Sequence, residues 1–106
     1  MTIPYHEKNK AEYSLEEVKK LIKQKKAKAT YNARVGANEL GIDDEQMWFI
    51  LSNLDPASFH KSMTDKTTGN KFYLDVYKPI VDGRRLYIKF TIRHNILFIL
   101  SSFKKQ

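Results

Sequence analysis

The last third of the chain, from Lys71 to Phe103, alternates between apolar and polar residues every two positions, with two interruptions. The most regular run is apolar at Leu86, Ile88, Phe90 and Ile92 and polar at Tyr87, Lys89, Thr91 and Arg93. Successive side chains of a strand leave opposite faces, so one face of this strand is apolar and the other carries a tyrosine and cations. Asp82-Gly83 and His94-Asn95 bracket the run and suit tight hairpin turns. The pattern predicts a three-stranded antiparallel meander.

The two flanking runs complete this meander. In residues 72–77 we interpret Phe72, Leu74 and Val76 as one face and Tyr73, Asp75 and Tyr77 as the other, which joins the face of tyrosines and cations. The third run, residues 96–103, is apolar on both faces until Ser101. That pattern is typical of a strand covered on both sides, so we place it centrally in the sheet.

Helical signals are confined to the first half of the chain. Ser14 and Glu17 form a predicted capping box, and an apolar stripe then indicates a helix to about Lys25. Residues 27–30 suit a short strand, after which Thr30 caps a second helix that ends at Leu40 before Gly41. Asp43 and Gln46 open a third helix, a short turn begins at Asp55-Pro56, and residues 60–64 are extended.

Helices early and strands late predict an α+β fold, with the helices packed on one face of an antiparallel or mixed β-sheet. At 106 residues the chain has room for one domain and one modest core, so we expect residues 1–106 to form a single domain. Residues 1–13 mix Pro4, charges and isolated aromatics without a period, and we expect them to be flexible. The sheet face away from the helices is left for function.

Composition narrows the possible functions. The chain has no cysteine, which excludes disulfides and thiolate metal sites. Its N-terminus lacks the apolar core of a signal peptide, and its longest apolar run, residues 96–100, is far shorter than the ~20 residues that span a bilayer. We therefore expect a cytoplasmic protein with no membrane contact.

A net charge of +7 favours a polyanionic partner, because each neutralised phosphate releases condensed counterions. Both ends of the chain are rich in cations and the middle is rich in acids. The lysines that end the first helix also complement its dipole, so we interpret that run as a solvated face rather than an RNA contact.

The second and third helices, joined at Gly41, also suit a helix-turn-helix motif. The end of the helix that normally enters the DNA groove would then carry three acidic residues, Asp43, Asp44 and Glu45, close to the DNA phosphates. This charge disfavours the motif, and we expect no direct sequence-specific DNA binding.

Cations and tyrosines dominate the candidate chemistry of the polar sheet face. They are Lys61, Tyr77, Lys78, Tyr87, Lys89, Arg93 and Lys104. Such groups are sufficient to cleave RNA, because the ribose 2′-hydroxyl is a built-in nucleophile and the protein need only position it, move protons and stabilise the charged phosphorane. The same residues also suit a merely solvated sheet face or a non-catalytic RNA-binding or regulatory module. His6, His60 and His94 do not have metal-ligand spacing, and we expect no metal and no cofactor.

From Ser14 to Lys104 the chain resembles the MqsR family (motility quorum-sensing regulator), the toxin half of a bacterial toxin–antitoxin pair with the RelE-like ribonuclease fold. The matching segments, in chain order, are residues 18–21, 37–43, 59–64, 75–79, 86–89 and 102–104. Their sequences are Val-Lys-Lys-Leu, Ala-Asn-Glu-Leu-Gly-Ile-Asp, Phe-His-Lys-Ser-Met-Thr, Asp-Val-Tyr-Lys-Pro, Leu-Tyr-Ile-Lys and Ser-Phe-Lys. They are specific as a set.

The resemblance implies a ribosome-independent, metal-free endoribonuclease that cleaves mRNA at GC-containing triplets and is neutralised by a cognate antitoxin. It also implies catalytic roles for Lys61, Tyr87 and Lys104. We assign RNA binding to Tyr77, Lys78, Lys89, Arg93 and His60. The chain departs from the family pattern at Tyr73-Leu74, where the family has an aromatic residue and glutamine, and at Phe59-His60, where it often has Phe-Tyr.

Overall fold

Three α-helices and eight strands follow one another in the computed structural model, which describes residues 5–100 and the backbone of residues 104–105. The elements are β1 (Glu7–Lys8), α1 (Leu15–Lys23), β2 (Ala27–Ala29), α2 (Tyr31–Glu39), α3 (Asp44–Ser52), β3 (Phe59–Thr64), β4 (Tyr73–Tyr77), β5 (Ile80–Val81), β6 (Arg84–Arg93), β7 (Ile96–Ile99) and β8 (Lys104–Lys105). Short 3₁₀ turns cover Pro56–Ser58 and Lys66–Thr68. Within the described residues, none of the helices has the length and apolar character that a membrane span requires.

The predicted caps begin the three helices. The Ser14 hydroxyl accepts from the Glu17 amide at 3.1 Å, and the Thr30 hydroxyl accepts from the Ala33 amide at 3.2 Å. Asp43 and Gln46 cap each other reciprocally. These bonds satisfy amides that have no partner within the helix, so the helix starts follow from the sequence.

Each of the first two helices is followed by a residue in the left-handed backbone conformation. Gly41 has a φ of 74°, and the following Ile42 amide donates to the Ala37 carbonyl, as in a Schellman motif. Lys25, with a φ of 60°, ends α1 in the same way, and the Lys26 amide donates to the Leu21 carbonyl. The helix therefore ends at Lys23, two residues before the end expected at about Lys25.

The sheet is mixed, as the α+β prediction allowed. Its strand order is β1-β3-β4-β6-β7-β2, while β5 and β8 also pair with β6. The predicted meander is present as antiparallel β4, β6 and β7, and only the β2–β7 pair is parallel among the described strands. Our central placement of the third run was wrong, because β7 lies between β6 and the edge strand β2. Residues 101–103 of that run lie outside the described residues.

The core lies between the helices and one face of β4, β6 and β7. Its fully buried members include Val18 and Leu21 of α1, Leu51 of α3, and Leu86 and Phe90 of β6. The even-numbered side chains of β6 supply the sheet side of this core, as the alternation predicted. Its odd-numbered residues are consequently directed to the opposite face.

The facing of β4 differs from our prediction. Tyr77 pairs with Ile88, and Asp75 pairs with Phe90, so the odd-numbered residues of β4 share the core face of β6. Tyr77 is only 2% exposed, and its ring stacks on Phe90 with the centroids 5.6 Å apart. Burial raises the pKa of Tyr77 to about 12. The assignment of Tyr77 to RNA binding is therefore wrong, because a ring inside the core cannot stack on a nucleotide.

The expected flexibility of residues 1–13 is not what the structure shows for residues 5–13. Strand β1 pairs with β3, and the carboxylate of buried Asp75 accepts from the amides of Glu12 and Tyr13 at 3.1 and 2.9 Å. The Tyr13 hydroxyl donates to the Tyr73 carbonyl at 2.8 Å. Burial raises the pKa of Asp75, although the hydrogen bonds that it accepts act in the opposite direction. This segment is anchored by partners that are distant in sequence.

Leu86→Ala tests the core face of β6. Leu86 has no exposed surface, so truncation leaves a cavity and should lower the free energy of unfolding by about 2–5 kcal/mol. Urea unfolding measures the change. Ile80→Ala is the matched control, because Ile80 is 64% exposed and its loss should cost less than about 0.5 kcal/mol. Equal effects of the two variants would contradict this account of the core.

Candidate functional site

A row of three residues crosses β3, β4 and β6 on the face away from the helices. Lys61 pairs with Val76, and Val76 pairs with Lys89. Neighbouring strands are about 4.8 Å apart, so the two lysine Cα atoms are separated by ~10 Å across Val76. Long side chains from these positions can extend to the same region of this face.

Tyr87 lies two residues before Lys89 on β6 and therefore on the same face. The Lys78 ammonium is 6.0 Å from the centre of the Tyr87 ring. On the other edge of β6, the Lys104 backbone pairs with Tyr87. The structure thus brings Lys61 and Tyr87 to one face and places Lys104 opposite Tyr87 in register. The Lys104 side chain lies outside the described residues.

Two further residues of this face, Tyr5 and Glu7, were missed in the sequence. A Glu7 carboxylate oxygen lies 3.2 Å from the Lys61 ammonium, and the other accepts from the Tyr5 hydroxyl at 2.7 Å. The Tyr5 hydrogen bond, followed by the contact with Lys61, lowers the pKa of Glu7. Burial and then Glu7 raise the pKa of Tyr5 to about 12. A strand of two residues is too short to show an alternating pattern, so periodicity could not identify these residues.

Lys61 reaches this face because β3 contains a bulge. Phe59 pairs with Tyr77 and Lys61 with Val76, so two steps along β3 match one step along β4. In a regular strand Phe59 and Lys61 would share a face. The extra residue, His60, instead lets Phe59 pack in the core while Lys61 faces outward.

A groove of about 750 Å³ adjoins this cluster at His60 and Lys78. Its walls come from α3 and from the β5–β6 hairpin, and they include the exposed apolar side chains of Phe49 and Ile80. Arg85, Asp55 and Asp82 supply charges along it. The cluster of charged residues is therefore continuous with an open groove.

Arg93 has a partner inside the protein. Its guanidinium pairs with the Asp65 carboxylate at 2.5 Å and lies 4.6 Å from the centre of the Phe72 ring. Asp65 also accepts from the amide and hydroxyl of Thr67, which fixes the loop between β3 and β4. Asp65 is itself buried, so this part of the loop is held against the sheet. Because its guanidinium is already paired with Asp65, Arg93 is a weaker candidate for RNA binding.

The departure from the family pattern at Leu74 lies on the same face as Lys61. Leu74 pairs with Met63 of β3 and is buried. An apolar contact therefore stands where the family pattern has an amide side chain. Among residues 5–100, no cluster of three or more histidine and acidic side chains suits a metal ion.

Comparison with known proteins identifies the family of this chain. Residues 10–105 match the family model described as motility quorum-sensing regulator, toxin of MqsA. The chain is also 33% identical over 100 residues to the mRNA interferase toxin MqsR of Escherichia coli (strain K12), an alignment that covers 94% of this chain and 99% of that protein. These matches place the chain among the small toxins of toxin–antitoxin pairs. The chain belongs to the MqsR toxin family.

Asp65→Asn tests the structural role of the Arg93 pair. Burial opposes ionisation of Asp65, but hydrogen bonds from Thr67 and Arg93 outweigh it and lower the pKa of this carboxyl. A carboxyl group whose pKa is lower in the folded protein than in the unfolded chain stabilises the fold. This contribution is fully present at pH values above the ordinary aspartate pKa of about 3.9, and it is lost as the pH falls through the pKa of the folded state. We expect the variant to be about 1.5–3 kcal/mol less stable at neutral pH.

Urea unfolding across a pH series measures this difference. The gap between parent and Asp65→Asn should begin to narrow below about pH 4 and should close once the pH is below the folded-state pKa of Asp65. The control is Asp82→Asn, since Asp82 is exposed in a turn with a φ of 51° that asparagine also tolerates. A gap that does not depend on pH would contradict the ion-pair explanation.

Proposed function

We propose that this chain, a toxin of a toxin–antitoxin pair with mRNA interferase activity, cleaves mRNA on the face of its sheet away from the helices. Family membership and the mRNA interferase relative support the activity. The location of the proposed cleavage site is supported by the strand register, which puts Lys61, Lys89 and Tyr87 on one face of the sheet. Lys78 and His60 border that face and are assigned to RNA binding.

The chemistry follows from the residues of this face. The 2′-oxygen of a ribose attacks the adjacent phosphorus while the bond to the 5′-oxygen breaks. Lys61 and Lys89 stabilise the charge that develops on the phosphorane. Tyr87 donates a hydrogen bond or a proton, and Lys104 acts beside it. Lys61 is the alternative proton-transfer group.

Protein cations that face the phosphate can supply the charge stabilisation that a metal ion provides in other nucleases. For this reason we propose that cleavage is independent of metal ions, whereas independence of the ribosome is proposed from the family resemblance. The preference for GC-containing triplets is proposed from the family resemblance. Leu74 cannot make the hydrogen bonds of the glutamine in the family pattern, so the base preference of this chain is the feature most open to change.

The first test is cleavage of a defined RNA in excess EDTA. We expect products that carry a 2′,3′-cyclic phosphate and a 5′-hydroxyl, because the nucleophile is the ribose itself. Mapping the cut sites on the same RNA tests the triplet preference. Products with a 5′-phosphate, or no cleavage without added metal, would overturn the mechanism.

Tyr87→Phe separates chemistry from stability. Tyr87 projects away from the core, so loss of its hydroxyl should leave folding unchanged. Removing a positioned acid or base typically costs about 10²–10⁴ in rate, whereas one lost hydrogen bond costs ~1 kcal/mol in binding. We therefore expect RNA affinity within about tenfold of the parent and cleavage at least about a hundredfold slower. A variant that cuts at close to the parental rate would show that Tyr87 is not catalytic.

The cognate antitoxin is the second partner. This chain carries a net charge of +7 and a basic sheet face, so we predict that the antitoxin contacts it through a mainly acidic surface. Binding should then weaken as salt is raised, because salt screens exposed charges. Titration calorimetry at low and high salt measures the effect. An affinity that does not change with salt would favour the addition of an antitoxin strand to a sheet edge instead.

A further inference from the structure

His60 occupies an unusual position beside the proposed cleavage site. It is the extra residue of the β3 bulge, with Phe59 directed into the core and Lys61 onto the polar face. Its side chain is exposed at the border between that face and the groove. Bulges often re-aim a side chain next to an active site. The bulge gives β3 two adjacent functional residues where a regular strand would present one.

The charges around His60 come from three elements. Lys61 of β3, Lys78 after β4 and Glu7 of β1 all act on its imidazole. Asp55, Asp82 and Arg85 line the same groove. Partial desolvation, followed by the charges of Lys78 and Lys61, lowers the pKa of His60, and Glu7 partly opposes them. The ring is therefore mainly neutral at pH 7 and retains a nitrogen that can accept a proton.

Glu7 and Tyr5, which also lie on this face, have pKa values that are far from neutral pH and are therefore poor proton acceptors there. A general base works best when its pKa is close to the working pH. The pKa of Glu7 is lowered, and its oxygens are held by Lys61 and Tyr5. The pKa of Tyr5 is raised to about 12. The other described histidines lie elsewhere: His6 packs against Tyr73, and His94 is in the β6–β7 turn.

We propose that His60 is a catalytic residue of this chain, namely the general base that accepts the proton of the ribose 2′-hydroxyl. This proposal rests on the proposed ribonuclease function. The 2′-oxygen then forms a bond to phosphorus, and the phosphorus–5′-oxygen bond breaks. The departing 5′-oxygen takes its proton from Tyr87, and the imidazolium returns a proton to the tyrosine through solvent. Lys61 and Lys78, the two cations that act on the imidazole, hold the phosphate. Family members with tyrosine at this position would need another proton acceptor.

The test compares the parent and His60→Gln in single-turnover cleavage of a defined RNA in EDTA, from about pH 5 to about pH 9. The parental rate should fall as the pH drops through the pKa of His60, because protonation removes the acceptor. His60→Gln should be at least about a hundredfold slower at neutral pH and should lose this acid limb. Affinity for the same RNA carrying a 2′-O-methyl group at the cut site should stay within about tenfold. His6→Gln is the matched control and should behave as the parent.

A second measurement uses the unmodified chain. The His60 ring is followed by NMR through a pH titration, and its midpoint should lie below the ordinary histidine value of about 6.5. If His60→Gln cleaves at the parental rate, or if its rate still falls at low pH as the parental rate does, the role of His60 is overturned while the ribonuclease function stands. A parent that fails to cleave RNA overturns the ribonuclease function and this role together.

Discussion

Strand β6 is the constraint on which the rest of the structure depends. It is paired with β4 and β5 along one edge and with β7 and β8 along the other, so it cannot rotate about its axis without breaking both sets of hydrogen bonds. Leu86, Ile88 and Phe90 are completely buried on one face. A shift of one residue would expose all three and bury the polar set. Tyr87 and Lys89 are therefore held on the outer face by the burial of their neighbours.

The other half of the proposed site is built by two local irregularities. The bulge at His60 reverses the facing of β3, which brings Lys61 level with Lys89 across Val76. The short strand β1 then adds Glu7 beside the Lys61 ammonium. The amides of Glu12 and Tyr13, just before α1, donate to the buried Asp75 carboxylate, and this contact holds the chain that leads from β1. Regular pairing alone would have left Lys61 on the core side of the sheet.

Local chemistry explains which features the sequence predicted. The caps of the three helices, the hairpin turn at His94-Asn95 and the alternation of β6 depend on neighbouring residues, and all were recognised. The facing of β4 was not, because both sides of that strand are buried and its apolar residues do not identify the core side. The role of Arg93 was also missed, since its partner Asp65 lies 28 residues away. Contacts of that kind are set by the tertiary fold and leave no local pattern.

The central claim is that RNA lies across the outer face of β3, β4 and β6. It is tested most directly by NMR titration of the isotope-labelled chain with an RNA whose 2′-hydroxyls are methylated, which binds but cannot be cut. The account predicts that the largest amide shift changes occur at residues 60–63 and 87–89, and that α1 and α2 change little. Shift changes that cluster on the lysines of α1 and leave β3 and β6 unchanged would contradict it.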